Sequence, residues 1–204
     1  MNIQLRSKNL PLTTRAAEGL ERRRWCVAEI EAAVRAGVIA SDERFELIGG
    51  EIVPMPPCSA RHEAVKTKLI DFFKRVAPKY LEIAPRASLV FDEATFVEPD
   101  FCIFRNDVAF APLEGPAVSL VIEIADASLA YDRGRKIGVY AAAGVREVWV
   151  IDAKKATTWL HRRLSVEGYG ETAEMSATQL IAPLLAPELA VRLSDLGLTA
   201  DGFA

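Results

Sequence analysis

Residues 118–152 read VSLVIEIADASLAYDRGRKIGVYAAAGVREVWVID. Val118–Ala125 is apolar at nearly every position, which is typical of a strand covered on both faces of a sheet. Leu129–Ala143 has helical character and ends at Gly144, a residue that commonly stops a helix. Glu147–Asp152 follows as a second apolar strand. This order predicts two strands of one sheet joined by a helical crossover.

The residues before this unit predict a further helix and two more strands. Ala60–Val76 repeats its apolar residues at helical spacing, with Ser59 as a candidate N-cap. Leu81–Phe91 and Phe96–Phe104 have the composition of strands. The order α-β-β-β-α-β from the first helix to Asp152 predicts an α/β domain with a mixed sheet flanked by helices.

The ends of the chain are predicted more coarsely. Residues 1–17 show no clear period and are expected to be poorly ordered, which leaves residues 18–204 as a single domain. Glu18–Val38 predicts an N-terminal helix, and Arg44–Val53 predicts a hairpin turning at Gly49-Gly50. Thr157–Arg163 predicts another strand, and the apolar tail LIAPLLAPELAVRLSDLG is expected to pack back onto the domain.

Composition limits the classes of protein that fit. The chain has 204 residues, half of them hydrophobic, and a net charge of −3. This charge disfavours a protein that coats nucleic acid broadly but allows local DNA binding. The three cysteines lack metal-ligand spacing, which argues for a reducing compartment and against a zinc site. No apolar run has the length of a signal peptide or a membrane helix, so we expect a cytoplasmic protein.

Two carboxylates interrupt strands that are otherwise apolar. Asp100 shares a strand face with Cys102 and Phe104, and Glu123 lies within VSLVIEIA. Burying an unpaired carboxylate costs several kcal/mol, so a compensating cation is expected at each position. Each carboxylate could form a structural ion pair with a basic side chain. Alternatively, the two could hold Mg²⁺ or Mn²⁺ together, since these ions prefer carboxylate oxygen ligands.

The helix after Glu123 supplies a cation. Asp132, Lys136 and Tyr140 are four residues apart and therefore share a helix face. An exposed pair of Asp132 and Lys136 would contribute only a few tenths of a kcal/mol. Because Val139 and Ala143 indicate that the helix packs on the sheet, Lys136 is instead expected to reach the end of the strand that carries Glu123.

These residues resemble the PD-(D/E)XK nuclease superfamily, and more closely the Uma-two family of restriction-endonuclease-like proteins. The resemblance rests on RFELIGGEIVPMPP at 44–57 with Arg61-His62, on VEPDFCIF at 97–104, and on the segment from Val121 to Asp152. It implies a restriction-endonuclease-like core with an added N-terminal helix and β-hairpin. The superfamily usually places a lysine two residues after the acid. Here that position is Ala125, and Lys136 on the following helix resembles a known variant.

The resemblance also implies roles for individual residues. Asp100 and Glu123 would ligate Mg²⁺ or Mn²⁺ together with the main-chain carbonyl of Ile124. Lys136 would orient or activate the attacking water and stabilise charge on the phosphorane. The remaining family positions, whose roles stay open, are Glu46, Glu51, His62 and Asp132. Glu46 could bind a second metal or pair with a base, His62 could be a capping or packed histidine, and Asp132 would position Lys136.

The function expected from the sequence is metal-dependent hydrolysis of DNA phosphodiester bonds. One alternative is a non-catalytic member of the same fold that binds nucleic acid or a protein, and another is a hydrolase of a different phosphate ester. A homodimer is also expected, because two strand breaks need two active sites and the tail from Leu180 to Leu196 offers apolar surface.

Overall fold

The computed structural model describes residues 23–108, 113–200 and 202–203. The segment 1–17 and the predicted helix start at Glu18 lie outside these ranges. The elements in chain order are α1 (Val27–Arg35), β1 (Phe45–Ile48), β2 (Glu51–Pro54), α2 (Ala60–Val76), β3 (Leu81–Pro85), β4 (Leu89–Asp92), β5 (Thr95–Val97), β6 (Phe101–Arg105), β7 (Val118–Ala125), α3 (Leu129–Asp132), α4 (Arg135–Ala142), β8 (Val148–Asp152), β9 (Thr157–Ser165), β10 (Gly168–Met175), β11 (Leu198–Thr199) and β12 (Gly202–Phe203).

A mixed six-stranded sheet forms the centre of the molecule. Its strand order is β10-β9-β8-β7-β6-β3. Strands β7 and β8 are parallel, and the chain crosses between them through α3 and α4. The other neighbouring strands of this sheet are antiparallel. The predicted α/β fold with a mixed sheet is therefore confirmed.

Two predicted strands are each divided between two sheets, so their predicted bounds are wrong. The chain leaves the six-stranded sheet after Pro85, where Arg86 has a φ of 55°, and Leu89 starts β4 in the other sheet. Likewise β5 ends at Val97 and β6 begins at Phe101, on either side of Pro99. Proline ends a strand because it has no N–H for the ladder. With the β4–β5 hairpin set aside, the core order is the predicted α-β-β-β-α-β.

The second sheet has four strands in the order β2-β1-β5-β4. Its β1–β2 hairpin turns at Gly49 and Gly50, as predicted, and both glycines have positive φ, at 57° and 81°. A two-residue turn with φ positive at both positions matches the twist of the strands it joins. Helix α1 begins at Val27, so the predicted helix is wrong for the described residues Arg23–Cys26, which are not helical. The helix ends at Arg35, and Gly37 follows with a φ of 69°.

Helix α2 has the predicted bounds and cap, whereas the predicted helix Leu129–Ala143 is broken. Ser59 Oγ accepts the first-turn N–H of His62 at 3.1 Å. The break falls at Arg133 and Gly134. A Cβ on Gly134 would come 2.8 Å from the Ala130 carbonyl oxygen. The break places Lys136 in the first turn of the separate helix α4.

The tail returns to the core as expected. Its residues Ile181, Leu189, Val191 and Leu193 are buried in the cluster that also contains Trp149.

Strand β10 was not predicted, because an edge strand with the sequence GYGETAEM has few apolar residues. Within the described ranges, no helix combines the length and apolar character that crossing a membrane requires.

Candidate metal and active site

Lys136 is the most deeply buried cation of the site. Its side chain is 1 % exposed, and its Nζ lies 2.6 Å from Glu123 Oε1 and 2.8 Å from Glu46 Oε1. The predicted proximity of Lys136 to Glu123 is confirmed. Burial alone would lower the pKa of Lys136, but Glu123, Glu46 and Asp132 together raise it above its usual value. The lysine is therefore an ammonium ion held between two carboxylates.

Glu46 reaches this lysine from the other sheet. It lies on β1, is fully buried, and accepts the Glu98 backbone N–H at 3.0 Å on Oε1. Its Oε2 accepts the Tyr131 hydroxyl at 3.1 Å. Of the two roles left open for Glu46, pairing with a base is the one these contacts match. Glu51 lies on the exposed side of the same hairpin, where its Oε2 is 3.7 Å from Arg135 Nη2.

Asp100 and Glu123 face each other across adjacent strands. The β6–β7 register pairs Phe101 with Ile122, so the next opposed positions are Asp100 and Glu123. Directly opposed residues of antiparallel strands have side chains on the same face of the sheet. Both carboxylates line one pocket of about 110 Å³. The structure therefore brings the side chains of the two acids together in one pocket.

Three donors surround the Asp100 carboxylate. Oδ1 accepts from Lys66 Nζ at 2.9 Å, and Oδ2 contacts His62 Nε2 and accepts the Ile124 backbone N–H, each at 2.9 Å. Burial raises the pKa of Asp100, but the hydrogen bond and charge of His62 and the charge of Lys66 outweigh burial and lower the pKa to about 2. Asp100 is therefore ionised at neutral pH.

Lys66 is a site residue that sequence reasoning missed. It is 5 % exposed and lies one helical turn after His62 on α2. The sequence does indicate that Lys66 is buried, because it shares one helix face with His62, Leu69 and Phe73.

The surroundings of Glu123 disfavour the ionised form of its carboxyl group. Burial raises its pKa to about 8, the charge of Lys136 opposes the rise, and Asp132, Glu46 and Asp100 add to it. Glu123 Oε1 also accepts a short hydrogen bond from the Tyr140 hydroxyl. The sheet thus holds Glu123 between a lysine and a tyrosine of α4.

Asp132 lies at the end of α3 and is 4 % exposed. Its Oδ2 accepts the Ser128 hydroxyl at 2.5 Å. Burial raises the pKa of Asp132, while Lys136 lowers it. Among the ion pairs within 4 Å that involve described residues, Lys136 contacts Glu46 and Glu123, so Asp132 acts on it at longer range.

The pocket collects the predicted residues from five elements of the fold and the segments beside them. It is lined by Glu46, His62, Asp100, Glu123, Ile124, Asp132 and Lys136. When ionised, the carboxylates Glu46, Asp100, Glu123 and Asp132 carry four negative charges. Lys66 and Lys136 supply two positive charges and His62 adds a third when its ring is protonated, so the four ionised carboxylates outnumber the cations in this largely buried site. Uncompensated buried charge of this kind is unfavourable unless a cation joins it.

Comparison with known proteins identifies the family. A family model for Uma2, described as a putative restriction endonuclease, matches residues 29–194. The solved structure of a putative nuclease belonging to DUF820 from Anabaena variabilis ATCC 29413 superposes with a TM-score of 0.64. It is 19 % identical and covers 79 % of this chain and 94 % of its own, so it shows a shared fold. No curated protein matches. Since the family model spans most of the sequence, the chain belongs to the Uma2 family.

Proposed function

We propose that this chain is a Mg²⁺- or Mn²⁺-dependent endonuclease that hydrolyses phosphodiester bonds in DNA. The observation that carries the proposal is the pairing of Asp100 with Glu123 in a pocket that also contains the buried Lys136. Family membership supports nuclease chemistry.

The residues present fit a hard divalent cation. A divalent ion beside Glu123 would favour its ionised form over the protonated form that a pKa of about 8 implies at neutral pH, and the carboxylates supply the oxygen ligands that Mg²⁺ prefers. Asp100 and Glu123 would hold the ion. When bound, the ion would polarise a phosphate oxygen and lower the pKa of a coordinated water.

The Ile124 carbonyl is a suitable third ligand for a structural reason. The β6–β7 register would place Pro99 opposite Ile124. Proline has no N–H, so it cannot donate to that carbonyl as another residue would in a sheet. The Ile124 N–H is bonded to Asp100 Oδ2 at 2.9 Å. A proline before the aspartate therefore leaves a backbone oxygen beside both acids.

Lys136 is suited to stabilising charge. A lysine with a raised pKa is protonated at neutral pH and cannot accept a proton from water. As an ammonium ion it can orient a water molecule and donate hydrogen bonds to the phosphate oxygens as negative charge develops on them. Preorganised donors of this kind contribute on the order of 10²–10³ in rate. Glu46 and Tyr140 act as positioning residues by holding Lys136 and Glu123 in place.

The test is cleavage of supercoiled plasmid DNA with Mg²⁺ or Mn²⁺, combined with calorimetric measurement of metal binding. Asp100→Ala is expected to lose both cleavage and metal binding. Lys136→Ala, and Lys136→Met as a variant of similar volume, are expected to lose on the order of 10²-fold or more in rate while still binding metal. Lys74→Met, an exposed lysine of α2, is the matched control.

The outcomes separate the alternatives. No cleavage by the folded wild-type protein with either metal contradicts the nuclease proposal. Hydrolysis of a small phosphodiester such as bis(p-nitrophenyl) phosphate without DNA cleavage would favour a hydrolase of another phosphate ester. Unchanged cleavage by both folded Lys136 variants would show that the role given to this lysine is wrong.

A further inference from the structure

A second group of metal-ligand atoms lies at the rim of the pocket. Cys58 Sγ, His62 Nδ1 and a Glu63 carboxylate oxygen lie within 4.8 Å of one another. Cys58 ends the loop after β2, while His62 and Glu63 belong to the first turn of α2. Cysteine spacing along the sequence argued against zinc, but the turn from loop to helix brings a thiol, an imidazole and a carboxylate together.

His62 is the residue that points to a ligand. It is 7 % exposed, and its Nδ1 has no hydrogen-bond partner among the described residues. The Glu63 carboxylate oxygen Oε1 is 3.5 Å from Nδ1 but makes no hydrogen bond with it. A buried ring nitrogen without a partner is unfavourable and calls for an explanation.

The opposite ring nitrogen of His62 contacts a carboxylate. His62 Nε2 lies 2.9 Å from Asp100 Oδ2, and Asp100 also accepts from the Lys66 ammonium group. Because a carboxylate in this setting accepts hydrogen bonds, Nε2 carries a proton. Metal binding requires an unprotonated Nδ1, whose lone pair would then face Cys58 and Glu63. Histidines that bind metals usually donate their other N–H to a carboxylate in this way.

We propose that Cys58, His62 Nδ1 and Glu63 bind one Zn²⁺ ion, separate from the Asp100–Glu123 site. Thiolate, imidazole and carboxylate are all zinc ligands, whereas Mg²⁺ does not favour sulfur. Ligands of tetrahedral zinc lie about 3.3–3.8 Å apart, so the cluster must close by about 1 Å. The Glu63 side chain is 46 % exposed and Cys58 lies in a loop, so both have room to move. Water would fill the fourth position.

Two arginines compete with the metal. Arg44 Nη1 lies 3.3 Å from Cys58 Sγ, and Arg86 Nη2 lies 2.8 Å from Glu63 Oε1 and 4.0 Å from the same sulfur. Arg86 is 45 % exposed and can withdraw into solvent at little expense. On binding, the Cys58 thiol releases its proton to solvent. The thiolate and the Glu63 carboxylate then balance the two charges of the ion.

Titration with Co²⁺, a spectroscopic substitute for Zn²⁺, tests the proposal in the full-length chain kept reduced. We expect one equivalent to give a thiolate-to-cobalt charge-transfer band in the near ultraviolet, which one equivalent of Zn²⁺ removes. Cys58→Ser should abolish the band and weaken Zn²⁺ binding at least 10-fold. Cys26→Ser changes a half-buried cysteine at a helix N-cap, where serine is favourable, and should keep the band.

Two further variants make the result decisive. Glu123→Gln should retain the charge-transfer band, because the proposed zinc ligands do not include Glu123. Arg86→Gln should tighten Zn²⁺ binding several-fold, because it removes a competing cation. The proposal is overturned if wild-type protein shows no charge-transfer band, if Cys58→Ser retains it, or if Arg86→Gln fails to tighten binding. None of these results depends on DNA cleavage, so failure of the nuclease proposal would leave this test readable.

Discussion

The two buried lysines of the site are surrounded differently. Lys136 is held by two carboxylates, Glu46 and Glu123. Lys66 has one carboxylate partner, Asp100, which it shares with His62 and the Ile124 N–H. Removing one member of a buried ion pair leaves the other charge uncompensated, which is more destabilising than the pair is stabilising. Lys66 is therefore the residue at which an added metal ion could replace a lost cation.

Lys66→Met is expected to lower the free energy of unfolding by about 3 kcal/mol without metal, because Asp100 keeps its other two donors but loses an ammonium partner. Urea unfolding measures the change. Adding Mn²⁺ should restore more stability to this variant than to wild-type protein, since the ion supplies positive charge beside Asp100. Lys74→Met, exposed on the same helix, should change stability by less than about 0.5 kcal/mol. Equal stabilisation of wild type and Lys66→Met by Mn²⁺ would argue against Asp100 as a ligand.

The break between α3 and α4 positions Lys136. Gly134 forms the N-cap of α4, two residues before Lys136. A continuous helix over Leu129–Ala143 would place Tyr131 and Lys136 about 140° apart around its axis, whereas both residues line the same pocket together with Asp132. The close approach of Gly134 to the Ala130 carbonyl leaves no room for a side chain there.

Gly134→Ala is expected to destabilise the protein by about 1–3 kcal/mol, because its Cβ would overlap the Ala130 oxygen and force the break to shift. The same shift should reduce DNA cleavage by displacing Lys136. Gly138→Ala is the matched control in α4, where an added Cβ meets no atom within 4 Å. It should stabilise the helix by about 0.5–1 kcal/mol. Thermal and urea unfolding would contradict this account if both alanine variants changed stability in the same direction.

At the scale of the whole molecule, the site joins the two sheets. Lys136 Nζ contacts Glu46 of the four-stranded sheet and Glu123 of the six-stranded sheet. The tail is anchored to the six-stranded sheet through the fully buried Glu147, which directly precedes β8. Glu147 accepts from Arg162 Nε at 2.7 Å and from the Leu184 N–H at 2.6 Å. Some apolar residues of the tail, such as Ile181 and Leu189, are buried in the core, and others are exposed.

The expected homodimer remains a prediction, and this surface is where we propose it forms. Leu180, Leu184 and Leu185 are 52 %, 54 % and 45 % exposed. Apolar side chains clustered in one segment are candidates for self-association. Light scattering at micromolar concentration should give the mass of two chains for the wild-type protein. The double variant Leu184→Ser, Leu185→Ser should give the mass of one chain. A monomeric wild-type protein would remove the proposal, and a dimer unaffected by the double change would place the interface elsewhere.

Some features of this protein follow from local sequence alone. Helix α2, strands β7 and β8 and the Gly49-Gly50 hairpin were predicted because periodicity, caps and glycine turns act over a few residues. Asp100 and Glu123 were recognisable because charged residues in apolar surroundings need partners. Lys136 was recognisable from its helix face and from the family resemblance, and Glu46 and His62 from the resemblance alone.

Other features were decided by tertiary structure. The segments Leu81–Phe91 and Phe96–Phe104 each contribute to two sheets, and no local pattern states which sheet a short apolar strand joins. The contacts of Lys66 with Asp100 and of Glu46 with Lys136 connect residues 34 and 90 positions apart. Local sequence limits which side chains can be buried, but the pairing of buried charges depends on strand register and on how the two sheets pack, and only the folded chain determines those.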